Sequence, residues 1–313
     1  MLRSISPIAY YRYILSFFVQ FSLYVSPLGL RVPLFQKNGV CDIRVHTLHG
    51  MTAGRSRTGT QNAMLAGMRT GRDQYSAIYG AQLEAEAKWL AIGAVEKANS
   101  IERLVLPRIS RPKRIVELGA GTGAIIAELQ RRNFADVYVA VDYSTDATHY
   151  MKRNLTNVEV LRADIVEEPI YGVFDVVVVS HVLEHLESPD NFLAALVRNL
   201  DFRFAVIECP LEDLAASRLK NLFRNRDENR AGHVQFFNRR SLSAVLRKHL
   251  KIVDSRHYCS WASSETVRFL ANKDALPLHK HWIKYLTLGI LPRVAAPLWK
   301  RYWIGNYALL CQK

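Results

Sequence analysis

The stretch "RIVELGAGTGAIIAEL", residues 114–129, decides how the rest of the chain is read. Strand-forming residues run into a glycine-rich turn, and beyond it the apolar positions recur at helical spacing. Gly119-Ala120-Gly121-Thr122-Gly123-Ala124 satisfies the dinucleotide fingerprint, in which glycines permit a tight turn and bring a diphosphate to a helix N-terminus. The pattern alone does not choose between nucleotide-bearing ligands. The surrounding residues must.

Upstream, from Asp73, Tyr75, Ile78, Tyr79, Leu83, Ala87 and Leu90 fall at helical spacing, so one or two helices precede the turn. Pro107 and Pro112 mark a break, after which apolar runs at 114–118, 137–141, 158–161, 174–180 and 204–208 alternate with helical patterns. That alternation predicts an α/β fold with a doubly wound, Rossmann-like, mostly parallel sheet. Residues 211–250 read as helix, polar loop, short apolar turn and second helix, with Asn238 or Ser241 as its N-cap. "KIVDSRHY" (251–258) is a sixth strand and "YALLCQK" (307–313) a seventh. The expected organisation is an extension (1–60), an N-terminal helical lid (61–112), a core (113–258), and a basic, Trp-rich insertion with the terminal strand (259–313).

The formal charge of +14 on 313 residues suggests a nucleic acid or an anionic membrane until its distribution is considered. Residues 1–41 carry four basic and no acidic side chains, and residues 268–313 eight basic and one acidic; the stretch between holds 30 against 27. The core needs no basic duplex-binding face, so nucleic acid is not the expected partner. The four cysteines are scattered without a CxxC pair, which argues against a disulfide framework or cysteine zinc site and fits a reducing, cytoplasmic setting. "ILSFFVQFSLYV" (14–25) is apolar and follows Arg3 and Arg12. Organelle targeting by residues 1–40, a membrane anchor, and an upstream extension before Met51 or Met64 all stay open.

In an open parallel sheet, ligands bind beyond the carboxyl ends of the strands. Four strands stop on polar residues: Glu117, Asp142, Asp164, and Ser180-His181 leading to Glu184 and His185. One acid at the second strand suits the ribose of any adenosine ligand. Two more would repel a diphosphate, but would favour a ligand with an ammonium, a sulfonium and an exocyclic amine. S-adenosylmethionine is such a ligand.

Residues 75–258 and the terminal strand resemble a class I S-adenosylmethionine-dependent methyltransferase of the small-molecule, methyltransferase-11/12-like type. The resemblance rests on "VELGAGTG", "VAVDYS", "RADI", "FDVVVVSHVLEHLESPDNFL" and "GHVQFFNRRSL", in family order and spacing. It implies S-adenosyl-L-methionine as cofactor and an antiparallel seventh strand. It also implies Glu117, Gly119, Gly121 and Gly123 around the methionine end, Asp142 on the ribose, and Asp164 with Ile165 at the adenine. Tyr79, Ala120, Tyr143, Ser144, Ser180 and His181 complete the expected cofactor contacts. Tyr79 sits with Tyr75 on the apolar face of the leading helix, where core packing is equally expected; Asp142 and Asp164 could instead cap the turns that follow them.

Methyl transfer is an in-line displacement, and a hydroxyl acceptor also needs a base. His181, His185 and His233 are the candidates, with His185 leaning towards a structural role. Ubiquinone-type O-methyltransferases carry Glu-x-x-Glu-His where this chain has His181-x-x-Glu184-His185, and a hard cation prefers oxygen, so no metal is assigned. Ser180-His181 also stands where amino-directed nucleic-acid methyltransferases carry Asn/Asp-Pro-Pro-aromatic. The insertion "HKHWIKYLTLGILPRVAAPLWKRYW" suits either a lipid interface through 280–303 or a cover over the acceptor. The expected acceptor is a small molecule or a lipid- or glycan-linked hydroxyl. An RNA methyltransferase using the basic flanks, and a non-catalytic cofactor-binding protein, are the alternatives.

Overall fold

The computed structural model describes residues 71–214, 232–259, 264–273, 277–302 and 305–313, all within one compact unit, Thr60–Lys313. The N-terminal extension lies outside the described residues, as do the side chains of Tyr75, Tyr79, Trp261, Trp299 and Trp303.

Helix α1 (Gly71–Val105) leads into β1 (Arg114–Leu118), α2 (Ala124–Arg131), β2 (Val137–Asp142), α3 (Thr145–Asn154), β3 (Glu159–Arg162), β4 (Val173–Ser180), α4 (Pro189–Asn199) and β5 (Asp201–Leu211). Then come α5 (Arg239–Leu246), β6 (Lys251–Tyr258), the helical segments α6 (Ser264–Lys273), α7 (Leu278–Tyr285), α8 (Leu291–Val294) and α9 (Ala296–Tyr302), and β7 (Gly305–Gln312). The seven strands lie in the order β3-β2-β1-β4-β5-β7-β6, and β7 runs antiparallel to both neighbours. The doubly wound sheet and its reversed last strand agree with expectation.

Period-two alternation builds both layers of the core. Val116, Leu118, Val139, Val141, Val177 and Val179 face one side with α4 and α5, through Leu193, Leu196, Leu242 and Leu246. Ile115, Ala140, Val176, Val178 and Val206 face the other with α1, α2 and α3, through Ile101, Ile126, Leu129 and Met151. Strands buried on both faces read as continuous apolar runs, which is why the sequence showed them clearly. Asn238 is the cap of α5, in a reciprocal box: its Oδ1 accepts the N–H of Ser241 at 2.9 Å while its own N–H donates to Ser241 Oγ at 2.9 Å.

Because β1, β2, β4 and β5 are parallel, their carboxyl ends share one edge of the sheet. Leu211 pairs with Gly305 and Tyr258 with Asn306, so the 264–302 insertion leaves and rejoins the sheet at that same edge.

Candidate active site

The turn after β1 puts Gly119, Gly121 and Gly123 at φ of 68°, 58° and 73°, the left-handed region that side chains resist. At Gly119 the constraint is also steric: a Cβ there would stand 2.6 Å from Val182 Cγ2. The turn is tied to β2 by the Ala120 N–H donating to the Val141 carbonyl at 3.0 Å. Asp142 completes the tie, its carboxylate accepting the N–H groups of Gly121 and Ser144, each at 2.8 Å.

A pocket opens beside this turn. Glu117, Gly119, Ala120, Gly121, Asp142, Tyr143, Asp164, Ile165, Ser180, His181 and His185 line it, so the expected acids converge. Glu117 is buried, with one oxygen accepting the Ile126 N–H at 3.1 Å. Burial pushes its carboxyl up to about 8 against the pull of Lys97 and the Ile126 N–H, and the Asp142 charge adds to the rise. Burial also pushes Asp142 upward, opposed by its backbone donors. Asp164 accepts the Val166 N–H at 3.0 Å, closing the turn after β3. The pocket thus gathers buried acids whose ionised forms a cationic ligand would stabilise.

A methyltransferase-domain family model matches residues 93–249. The chain belongs to this family. It is a class I S-adenosylmethionine-dependent methyltransferase, with the reversed seventh strand that the motifs implied. Among solved structures it is similar to the N-methyltransferase NodS from Bradyrhizobium japonicum WM9, crystallised with S-adenosyl-L-homocysteine: 15% identity, 70% of this chain and 86% of that one, TM-score 0.42. It is also similar to the plantazolicin methyltransferase BpumL, at 12% identity over 82% of this chain and 100% of that one, with a TM-score of 0.49. A possible histamine N-methyltransferase from Thermotoga maritima shares 16% identity over 61% and 86% of the two chains, with a TM-score of 0.45. Curated protein sequences give no match.

Two expected contacts of the methyltransferase take local roles instead of lining the pocket. The Ser144 hydroxyl caps α3, accepting the Ala147 N–H at 3.3 Å. Gly123 gives the chain room beneath α2, where a Cβ would meet Leu155 Cδ1 at 2.6 Å. Tyr79 lies on α1, but its side chain is outside the described residues.

The histidines separate. His181 lines the pocket in a left-handed conformation (φ 57°), its N–H held by the Glu208 carbonyl at 2.9 Å. Its Nδ1 is 3.4 Å from Glu184 Oε1 and its Nε2 3.6 Å from Glu208 Oε1. His185 is on the pocket wall with Nδ1 set against the Gly232 carbonyl at 3.2 Å, and burial pushes its imidazole towards the neutral form. His233 packs edge-on against His185, ring centroids 4.8 Å apart, and is held by Glu212.

Two participants were outside the sequence reading. Lys97 reaches the pocket from α1, on the helical stripe of Ala94, Ala98 and Ile101; a lone cation in such a stripe is the signal that marks it. Glu208 follows the apolar run Phe204–Ile207 of β5 and is buried beside Tyr258, whose hydroxyl donates to it at 2.9 Å. Burial acts to raise its carboxyl, but His181, Lys97 and Tyr258 together hold it below the usual range.

Proposed function

We propose that the enzyme transfers a methyl group from S-adenosylmethionine to a hydroxyl of a lipid-linked acceptor met at a membrane surface. The carrying observation is a stripe on the insertion: Trp282, Leu286, Ile290, Val294, Leu298 and Tyr302 recur every four residues and are all exposed. A strict four-residue spacing drifts around an α-helix, but the wider turn at Leu286–Ile290 takes up part of the drift. Exposed apolar rows of this kind, with cations such as Lys284 and Arg293 in the same segment, fit the headgroup boundary of a bilayer. No helix among the described residues is long and apolar enough to cross a membrane.

In this reading the acids of the pocket hold the donor: Glu117 faces the ammonium, Asp142 the ribose and Asp164 the adenine side. His181 is the side chain best placed to accept the proton of the acceptor hydroxyl, since it lines the pocket, whereas His233 is held by Glu212 behind His185. The oxygen then attacks the methyl carbon as the C–S bond breaks, leaving S-adenosylhomocysteine.

The test is incubation of the full chain with S-adenosylmethionine labelled in its methyl group and vesicles made from total lipid extract. Label is expected in the organic phase as a base-stable ether and absent with His181→Asn. Label found only in water-soluble products or in RNA would overturn the acceptor assignment.

A further inference from the structure

The three-residue turn Leu183–His185 after β4 is clamped to the segment after Gly232: the Glu184 carbonyl accepts the N–H groups of Val234 at 2.8 Å and Gln235 at 3.0 Å. This brings together residues nearly fifty positions apart. One ligating atom from each of Glu184, His185 and His233 lies within 4.8 Å of the other two.

The surroundings of each are arranged as for a cation. Glu184 is 1% exposed, and neither carboxylate oxygen has a hydrogen-bond partner. His181 Nδ1 stands 3.4 Å from Oε1 without forming a hydrogen bond, and the buried Cys209 beside it offers only a thiol, a weak donor. A buried carboxylate answered by nothing stronger than a thiol is strongly unfavourable unless a positive charge faces it. On the histidines the Nδ1 atoms face acceptors, a backbone carbonyl for His185 and the Glu212 carboxylate for His233. An N–H must point at each acceptor, so in each neutral ring the lone pair falls on Nε2. Outer acceptors that fix the tautomer in this way orient imidazoles for metal coordination.

We propose that Glu184, His185 and His233 bind a divalent transition ion of zinc-like character. Two imidazoles and one carboxylate suit zinc, cobalt(II) or iron(II) better than magnesium, which prefers an all-oxygen shell. Three protein donors leave a position of a tetrahedral ion to solvent or to an acceptor oxygen. This revises the expectation drawn from the His181-x-x-Glu184-His185 motif. That motif lacks a carboxylate in sequence, but the fold supplies His233 in space. The site is independent of the acceptor assignment.

The test uses the full chain, stripped of metal with a chelator and titrated with cobalt(II). Visible d–d absorption saturating at one ion per chain, displaced by zinc and not by millimolar magnesium, is expected. Glu184→Gln and His233→Ala should each weaken cobalt affinity at least tenfold, as should Glu212→Gln, which acts only by positioning His233; His249→Gln, at a distant surface pair with Asp190, should not. Retained S-adenosylhomocysteine binding shows that the variants fold. X-ray absorption of zinc-loaded wild type should give a shell of imidazole nitrogen and oxygen, without recourse to any variant. No saturable cobalt band, a band indifferent to Glu184 and His233, or a sulfur-dominated shell would overturn the site.

Discussion

The Asp142 carboxylate and the Gly121 backbone N–H are joined at 2.8 Å, so the acid at the end of β2 holds the glycine turn as well as facing the pocket. Its second oxygen accepts from Ser144. Asn has one acceptor oxygen and one amide donor, so Asp142→Asn would set an N–H against one of these two backbone donors. The expected loss is about 1–3 kcal/mol of stability, the usual penalty for an unsatisfied buried group, together with a fall in S-adenosylhomocysteine affinity of tenfold or more. Urea denaturation and calorimetry would check both; unchanged affinity with lost stability would reduce Asp142 to a structural tie.

Glu117 makes the donor site sensitive to pH. Its carboxyl, at about 8 against an ordinary 4.5, keeps a proton that the unfolded chain lacks at pH values between the two. That contribution to stability is complete below the ordinary value and disappears as pH rises towards 8. An ammonium arriving at Glu117 reverses the preference, so binding of S-adenosylhomocysteine near pH 6.5 should release close to one proton. Calorimetry in buffers of different ionisation enthalpy reads this directly. Glu117→Gln should abolish the release, flatten the pH dependence of the melting temperature, and weaken binding by about 1.5–3 kcal/mol; equal proton release from both proteins would contradict the placement of the ammonium.

The parts of the molecule readable from sequence are those governed by local pattern. β1 and β6 fall where the apolar runs place them, and Asn238 caps α5 because side-chain chemistry and position coincide. β5 extends beyond its apolar centre at both ends because β4 and β7 supply hydrogen bonds to polar and proline-containing positions alike. The pairing of His185 with His233 had no local signature, since it depends on the Glu184 carbonyl capturing a distant segment. Ser144 shows the opposite limit: it stands two residues after the pocket acid Asp142 in the motif, but the helix that begins after it claims its hydroxyl.

Arg132 fixes α1, and with it Lys97, against the sheet. Its guanidinium donates to Asn99 at 2.8 Å, Glu102 at 2.7 Å, Glu128 at 2.8 Å and the Val95 carbonyl at 3.1 Å. Arg132→Ala should destabilise the fold by about 1–3 kcal/mol, since partly buried acceptors lose a charged donor. Because Leu90 and Lys97 of the same helix line the pocket, S-adenosylhomocysteine affinity should fall severalfold too. Denaturation and binding measured on one preparation would separate the effects; a destabilised variant with intact affinity would mean that α1 is not a wall of the donor site.

The exposed row on the insertion gives the sharpest separation between folding and function. Trp282 and Val294 are each 75% exposed, so Trp282→Ser with Val294→Ser should change stability by no more than about 0.5 kcal/mol, as surface substitutions do. Neither residue lines the donor pocket, and S-adenosylhomocysteine affinity should be unchanged. Seating both side chains among acyl chains would contribute about 1.5–3 kcal/mol apiece at full burial, so cosedimentation with anionic vesicles should fall tenfold or more in the double variant. Added salt should weaken wild-type binding further by screening the basic residues of the segment. A double variant that sediments with vesicles as well as wild type, or a wild type that does not sediment at all, would leave the insertion as a cover over the acceptor and the lipid-linked substrate without support.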